Sequence, residues 1–423
     1  MKTKYIHKNA HLNLKWKCDL DRSVIEDNCE ERGWERVEDQ NDNSWNFCWA
    51  SIAMIRQIFN PRYKMRLNDN QLINHFPNHI ELTRKDLLVK NIKRLKNEGE
   101  IITVSGNRKF ELKPDILPIS YILPQEYSLF IEEFSKTQHK KWIFKPAGKS
   151  QGKGINIITK VSQAKNIPNL MSEFKTQTGF YKETFIVSKY LDNPLLLSEK
   201  KFDLRLYVLV TNYRPLKVYK YREGFCRLCF ENYTAINCKQ DPNDELLAHL
   251  TNVSLQKYCN QYNEMHGGKW PFTSFLHYIE TNFGKEKMNK LVDDIDRIFM
   301  VTLKAVQPVI LNDKHCFELY GFDVLIDEEF TPWLIEVNAS PSLVTTTKHD
   351  KILKKNLMND LINLLMPPYW TEGKRTKGSS TCKEKKVGGF SLLYDELEDP
   401  LYNRVEKTKK QVKRPNSNYM TFK

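Results

Sequence analysis

The chain has 423 residues, 40% of them apolar, and a formal net charge of +14 with a pI near 9.1. That length allows a large core and more than one subdomain. Met1 to Leu14 contain no continuous apolar stretch, and no segment approaches the roughly 18 apolar residues of a membrane helix, so neither a secretory leader nor a membrane span is read and a soluble, intracellular protein is expected. Nine scattered cysteines fit reduced thiols better than a disulfide framework. Cys226 and Cys229 form a CxxC, but no second pair follows at zinc-finger spacing. The basic surface implies an acidic partner, without choosing among nucleic acid, anionic membrane and protein.

In chain order, the opening stretch to about residue 100 mixes aromatic clusters (Trp34, Trp45, Phe47, Trp49) with polar loops. It ends in LTRKDLLVKNIKRLKNEGE, where Leu82, Leu87, Val89, Ile92 and Leu95 approximate one helical face. From about residue 140, KWIFKP, INIITK, TFIVSKYL, RLYVLVT, DVLIDE and PWLIEVN read as strands rich in β-branched and aromatic residues. Lys285 to Ile310 repeats apolar residues at helical spacing, from Met288 to Leu303. Strands interleaved with helices predict an α+β or α/β enzyme core. Residues 371–423 carry 13 Lys/Arg against 7 Asp/Glu and read as a basic tail. Deleting that tail is expected to weaken binding to an acidic partner and spare the rest of the protein.

The chemistry begins at the acidic end. FELYGFDVLIDEEFTPWLIEVNASPSL reads as a hairpin turning at Asp327 to Thr331, with Asp323 on its first strand. Glu336 and Asn338, two apart on the second strand, share a face. Alone, EVN is a strand-end carboxylate; inside the apolar WLIEVN, an ionised Glu336 needs a compensating cation. The three oxygen donors suit Mg²⁺. Lys145 follows the apolar run Trp142–Phe144, and the loop GKSQGKGI brings Gly148, Gly152 and Gly154, whose backbone amides can approach phosphate. Ile143 stands where a Walker A motif needs glycine, and neither HRD nor DFG occurs, so a P-loop and a kinase are excluded. In KKFDLRLYVLV, alternation puts Lys201, Asp203, Arg205 and Tyr207 on one face. Such a face is costly if buried in protein and natural beside a polyanion.

LTRKDLLVKN, WIFKP, SQGKGI, SKYL, KFDLRLYVLV, HLTN, HGGKW, YGFDVLID and WLIEVNASPSL occur here in that order. Together they resemble the tubulin tyrosine ligase-like family, and its glutamylating branch in particular, from about Trp34 to Leu365. The late EKKVGGFSLLYDE is similar to one ciliary subgroup of polyglutamylases. The resemblance implies an ATP-grasp fold: an N-terminal α/β subdomain (1–100), a central ATP-grasp subdomain (101–200), a C-terminal ATP-grasp subdomain (201–370) and the tail.

Within that fold Lys145 would contact the α/β-phosphates, and Gln151, Gly152, Lys153 and Gly154 would close over them. Ser188, Lys189, Tyr190 and Leu191 would form the adenine hinge. Lys201 and Asp203 would meet phosphate and ribose, with Thr251 and Asn252 nearby. Asp323, Glu336 and Asn338 would hold Mg²⁺, with Arg205 and Glu336 as catalytic residues. Arg227 and Lys269 match positions that bind the incoming amino acid, and Gln151 also falls on the substrate side.

The implied reaction activates a tubulin-tail glutamate with ATP and joins it to free L-glutamate through an acylphosphate. Such chemistry needs charge neutralisation and alignment more than a protein nucleophile. Implied partners are acidic tubulin tails and accessory subunits, not nucleic acid, and the implied location is the cytoskeleton, in a cilium, flagellum or basal body. Two alternatives stand beside this reading: a ligase using glycine or a non-tubulin acceptor, and a non-catalytic microtubule-binding scaffold.

Overall fold

The computed structural model describes residues 14–20, 23–39, 41–99, 101–105, 108–137, 140–149, 152–172, 183–233, 246–251, 268–345, 347–366 and 384–404. Gln151, Asn252 and most of the basic C-terminal stretch lie outside them. Four short strands come first, β1 (Lys15–Cys18), β2 (Glu35–Arg36), β3 (Phe47–Trp49) and β4 (Leu72–Asn74), with helices α1 (Ser23–Glu30) and α2 (Ile52–Ile58) between them. α3 (Ile80–Thr83), α4 (Lys85–Glu98), β5 (Ile101–Ser105) and β6 (Arg108–Leu112) follow. Next come β7 (Ser120–Leu123), α5 (Tyr127–Lys136), β8 (Trp142–Pro146), β9 (Asn156–Ile158), α6 (Val161–Ser172) and β10 (Phe185–Lys189).

The rest begins with β11 (Leu196–Leu197), β12 (Lys200–Tyr213), β13 (Leu216–Tyr221), β14 (Phe225–Leu228), α7 (Leu246–His249) and β15 (Lys269–Pro271). Helices α8 (Phe272–Phe283) and α9 (Lys285–Val306) lead to β16 (Cys316–Ile326), β17 (Pro332–Asn338) and α10 (Lys348–Leu365). The chain closes on β18 (Lys386–Val387) and β19 (Phe390–Asp395).

Among the described residues, thirteen strands form one mixed sheet whose main path runs β18-β19-β13-β12-β16-β4-β3-β1-β2. β1 to β4 pair with one another in parallel, and β4 joins β16 in parallel through Cys316↔Ile73. Helices cover both faces. Phe202, Leu204 and Val208 pack with α4, α8 and α9, while Tyr207 and Leu209 on the opposite face pack with α1 and α10. A second sheet, β7-β10-β8-β9, builds its own core with α5 and α6 around Phe130, Trp142, Phe144 and Phe185.

The expected strands of the second half all form, and β12 and β16 run longer than their motifs. The amphipathic segment behaves differently at its start. Arg84 is extended (φ −84, ψ 129), so the helix begins at Lys85, and Leu88 rather than Leu87 is buried beside Val89, Ile92 and Leu95.

The C-terminal stretch is corrected more substantially. β19 pairs antiparallel with β13 along Lys217↔Asp395 to Tyr221↔Phe390, and Val387, Phe390, Leu393 and Tyr394 are core residues. Asp360 on α10 accepts from the Gly389 amide at 2.8 Å, and a Cβ on Gly388 (φ +56) would fall 2.1 Å from the Asp360 carboxyl carbon. Residues 386–395 are therefore sheet, not solvated tail. The basic count hid them because GGFSLLYDEL is a short apolar insert in a charged segment.

Candidate active site

β12 alternates strictly. Phe202, Leu204 and Leu206 enter the core, while Lys201 and Asp203 line a cleft between the two sheets and Arg205, on the same face, adjoins it. Strand register turns these into two rows of charge. Asp203 stands opposite Arg227 of β14, which stands opposite Lys269 of β15. Arg205 stands opposite Asp323 of β16, which stands opposite Glu336 of β17, with Asn338 across from Gly321. The predicted hairpin is thus present, with a register irregularity between Asp323 and Val324.

The rows are knitted by short, charge-assisted hydrogen bonds. Arg205 donates through Nε and Nη2 to Asp323, at 2.5 and 3.0 Å. Arg227 donates both ways to Asp203 at 2.6 Å, and its Nη2 lies 2.8 Å from Asp323 Oδ2. Thr251 donates to Asp203 at 2.6 Å. Burial alone would raise the Asp323 carboxyl, but the Arg205 and Arg227 guanidiniums hold it well below the usual carboxylate range. Behind this face, buried Glu318 accepts from His75 Nδ1 (2.5 Å) and the Phe76 amide (2.9 Å), and His75 Nε2 meets Ser340 Oγ at 3.0 Å. That chain braces the turn that follows Asn338.

The facing wall comes from the smaller sheet and α4. Lys145 on β8 is half-buried, and desolvation drops its ammonium to about 8, opposed by Glu336 and assisted by Lys85. Burial likewise drops Lys201 to about 8. Lys201 Nζ donates to Tyr190 Oη at 2.9 Å, and that hydroxyl meets His249 Nδ1 at 3.1 Å. His249 is held near 4 by burial and by Lys201, so its ring is neutral. The cleft encloses about 1220 Å³ with open solvent included. Its apolar lining, Val89, Ile143, Ile186 and Leu334 among it, suits a flat ring. Its lysines, Lys85, Lys145, Lys153 and Lys201 among them, suit a polyanion.

The glycine loop is fastened at its start. The Gly148 amide donates to Glu183 at 2.9 Å, and Lys85 Nζ donates to the Lys149 carbonyl at 3.0 Å. Gly154 needs to be glycine, because its φ is +74 and a Cβ would meet Pro146 Cγ at 3.1 Å.

The donor set fits a hard divalent cation. Asn338 Nδ2 lies 3.4 Å from both Asp323 Oδ2 and Glu336 Oε1. Amide nitrogen and oxygen exchange by a simple flip, which would turn a third oxygen toward the two carboxylates.

Most of the residues singled out in the sequence converge here. Lys145, Gly152, Lys153, Ser188, Lys189, Tyr190, Leu191, Lys201, Asp203, Arg227, Thr251, Asp323 and Glu336 all line the cleft. Arg205, Asn338 and Gly154 adjoin it through the contacts above. Lys269 sits apart from the cleft-lining residues, its ammonium 2.9 Å from Asp350 Oδ2. Gln151 and Asn252 lie outside the described residues.

Residues 63–373 of the chain match the tubulin-tyrosine ligase family. The chain belongs to the tubulin-tyrosine ligase family. It is 48% identical over 394 residues to the probable alpha-tubulin polyglutamylase Ttll1 of Tetrahymena thermophila, covering 92% of this chain and 95% of that protein. It is 35% identical to the probable tubulin polyglutamylase TTLL9 of Bos taurus, covering 86% and 80%. With the probable tubulin polyglutamylase TTLL2 of Homo sapiens it shares 32% identity, over 84% of this chain and 55% of that one.

One cleft residue of this tubulin-tyrosine ligase family member escaped the sequence reading. Lys85 Nζ lies 3.0 Å from Glu336 Oε2 while also holding the glycine loop. A usable signal existed. Lys85 is the first residue of α4, where a cation opposes the helix dipole and is expected only if something else requires it.

The depressed lysines give a pH signature. Lys145 and Lys201 lose their protons as pH rises through about 8, whereas ordinary lysines stay charged to about 10. A bound polyphosphate favours the protonated forms, so affinity for ATP should fall above that point, by up to about tenfold per pH unit per lysine. Titration with a fluorescent ATP analogue across a pH series checks this. Affinity that stays constant through pH 9 rejects it.

Proposed function

We propose that the chain is an ATP-dependent tubulin polyglutamylase that works through an acylphosphate. The observation that carries the reading is a cleft combining the in-register carboxylates Asp323 and Glu336 with half-buried Lys145 and buried Lys201. It occurs in a chain 48% identical, nearly end to end, to a protein named as a probable alpha-tubulin polyglutamylase. The acceptor and the donor glutamate are taken from the names of such relatives.

In this reading the two sheets are the halves of an ATP-grasp clamp. The subdomains are an N-terminal one (1–100), a central one (101–200) carrying the glycine loop and hinge, and a third (201–370) carrying the carboxylates. Adenine lies against the apolar lining and Ser188–Leu191, with Asp203 on the ribose. Lys145, Lys201, Lys85 and the Gly152–Gly154 loop hold the phosphates. Asp323, Glu336 and Asn338 would hold Mg²⁺, which when bound neutralises phosphate charge and aligns the terminal phosphoryl group.

The acceptor's γ-carboxylate oxygen attacks the γ-phosphorus, and the bond to ADP breaks. The donor's amine then attacks the acyl carbon, loses a proton and expels inorganic phosphate, leaving an isopeptide bond. In this reading Arg205, which Asp323 holds beside the cleft, stabilises charge that develops at the acyl oxygens. Arg227 and Lys269 orient the donor. An acidic tubulin tail also suits a protein of net charge +14. The working location is the microtubule cytoskeleton, in a cilium or at its base.

Incubating the protein, with partner subunits if it needs them, with microtubules, Mg-ATP and each candidate amino acid in turn tests the whole reading. Mass spectrometry of the tubulin tails should show glutamate added in steps. Glycine added instead overturns the donor assignment, and unmodified tails under all conditions overturn the acceptor.

A further inference from the structure

Outside the cleft, the joint between β4 and β16 gathers a second set of metal-ligating side chains. His75 follows β4, His79 stands immediately before α3, and Glu318 comes from β16. All three are buried, and one ligand atom from each lies within 4.8 Å of the others. The two imidazole rings are 4.8 Å apart and tilted by 32°. His75 also has a φ of +74, a left-handed conformation that a residue other than glycine keeps only where its surroundings impose it.

Hydrogen bonds give each of these side chains an outer atom and an inner one. Glu318 Oε2 accepts from the Phe76 amide at 2.9 Å, which leaves Oε1 to His75 Nδ1. His75 Nε2 turns outward to Ser340 Oγ at 3.0 Å. His79 Nδ1 lies 3.0 Å from the Phe76 carbonyl, which can only accept, so Nδ1 carries a hydrogen. Burial lowers the His79 pKa against the pull of Glu318, so the ring is neutral and its Nε2 holds a lone pair. That Nε2 is buried and has no hydrogen-bond partner among the described residues. A buried acceptor without a donor is costly, and it becomes favourable where a cation supplies the partner. Metal-binding histidines characteristically give their outer N–H to a carbonyl or carboxylate, as His79 does here.

We propose that His75 Nδ1, His79 Nε2 and Glu318 Oε1 form a structural site for zinc or a similar divalent transition metal, with water as the fourth ligand. Two imidazole nitrogens and a carboxylate oxygen are a set that zinc accepts, whereas the all-oxygen donors of the cleft suit magnesium. Zinc bonds of about 2.0–2.2 Å hold ligand atoms closer than the present spread, so the side chains draw inward slightly on binding. The ion takes the place of the hydrogen between His75 and Glu318, and His75 Nε2–H then donates to Ser340 Oγ. A metal here pins the parallel joint of β4 and β16, which fastens the amino-terminal strands to the strand of Asp323. It takes no part in the proposed ligation and does not depend on the identity of donor or acceptor.

The test is zinc binding by the full chain, made without a histidine tag and kept in excess magnesium so that hard oxygen donors are occupied. Titration against a chromogenic chelator should show about one zinc per chain. His79→Asn keeps a donor for the Phe76 carbonyl but removes Nε2, and should weaken zinc binding by at least about a hundredfold; Ser340→Ala, which removes only an outer partner, should weaken it about tenfold. Saturating zinc should raise the melting temperature of the wild type by a few degrees and leave that of His79→Asn unchanged. Cobalt in place of zinc should give the visible bands of a four-coordinate nitrogen and oxygen site without a thiolate-to-metal band. Equal zinc affinity in wild type and His79→Asn, or no binding by the wild type at micromolar zinc, overturns the proposal. So does a thiolate band, which assigns the ion to cysteines, or loss of zinc in Glu336→Gln, which assigns it to the cleft. If His79→Asn does not fold, Ser340→Ala and the cobalt spectrum carry the comparison.

Discussion

Glu336→Gln is expected to lower glutamate transfer by about three orders of magnitude, the scale of losing a preorganised charge at a transition state. Glutamine keeps the shape of the side chain and removes its charge. Three groups depend on that charge: Lys85 at 3.0 Å, Lys145, whose ammonium Glu336 supports against burial, and any cation shared with Asp323 across the hairpin. In the proposed reading nucleotide binding draws on Lys145, Lys201 and the apolar lining of the cleft, so ATP affinity measured without transfer should change by no more than about tenfold. The split between lost turnover and retained binding is the diagnostic result. Full activity in this variant would remove Glu336 from the chemistry.

The second large effect concerns the C-terminal residues. Deleting 371–423 should abolish soluble expression, because it strips β18 and β19 from the sheet edge. Four core side chains go with them, Val387, Phe390, Leu393 and Tyr394, each worth roughly 1.5–3 kcal/mol of burial. Lost too are Asp395 from buried Lys217 (2.7 Å), Glu396 from Lys304 (2.6 Å) and Asp399 from Thr103 (2.6 Å). That sum is comparable with the whole stability of a typical domain, about 5–15 kcal/mol. Stopping the chain after Arg404 keeps all these contacts and should leave the melting temperature within a few degrees. Equal soluble yields from the two truncations would show that β19 contributes little.

Much of the site was legible because its charges lie in places where charge is conspicuous. Lys201, Asp203 and Arg205 interrupt a strand of Leu, Val and Tyr, and Glu336 interrupts WLIEVN. Strand periodicity then assigned their face without any knowledge of the partner strands. Lys85 and Asp350 were not legible in the same way. Each lies on a helix with many other charges, where a lysine or aspartate ordinarily faces water, and only the packing of that helix shows that it does not. The cross-strand rows could not be read either, since register between β12, β14 and β15 depends on residues tens of positions apart. The N-terminal strands, two to four residues each, are too short to show alternation at all. Their aromatic residues announced a core and not its geometry.

The parallel joint between β4 and β16 has a consequence for how the protein is made. Just beyond it, His75 bonds Glu318, 243 positions later in the chain. During synthesis Trp16, Trp45 and Trp49 leave the ribosome long before the strand on which their layer rests. For that interval the first hundred residues present aromatic surface and open strand edges, the condition in which nascent chains engage chaperones or aggregate. β16 also delivers Asp323, so the event that settles the amino-terminal layer is the same one that completes the charged rows. For the amino-terminal layer, shelter and chemical competence therefore arrive together.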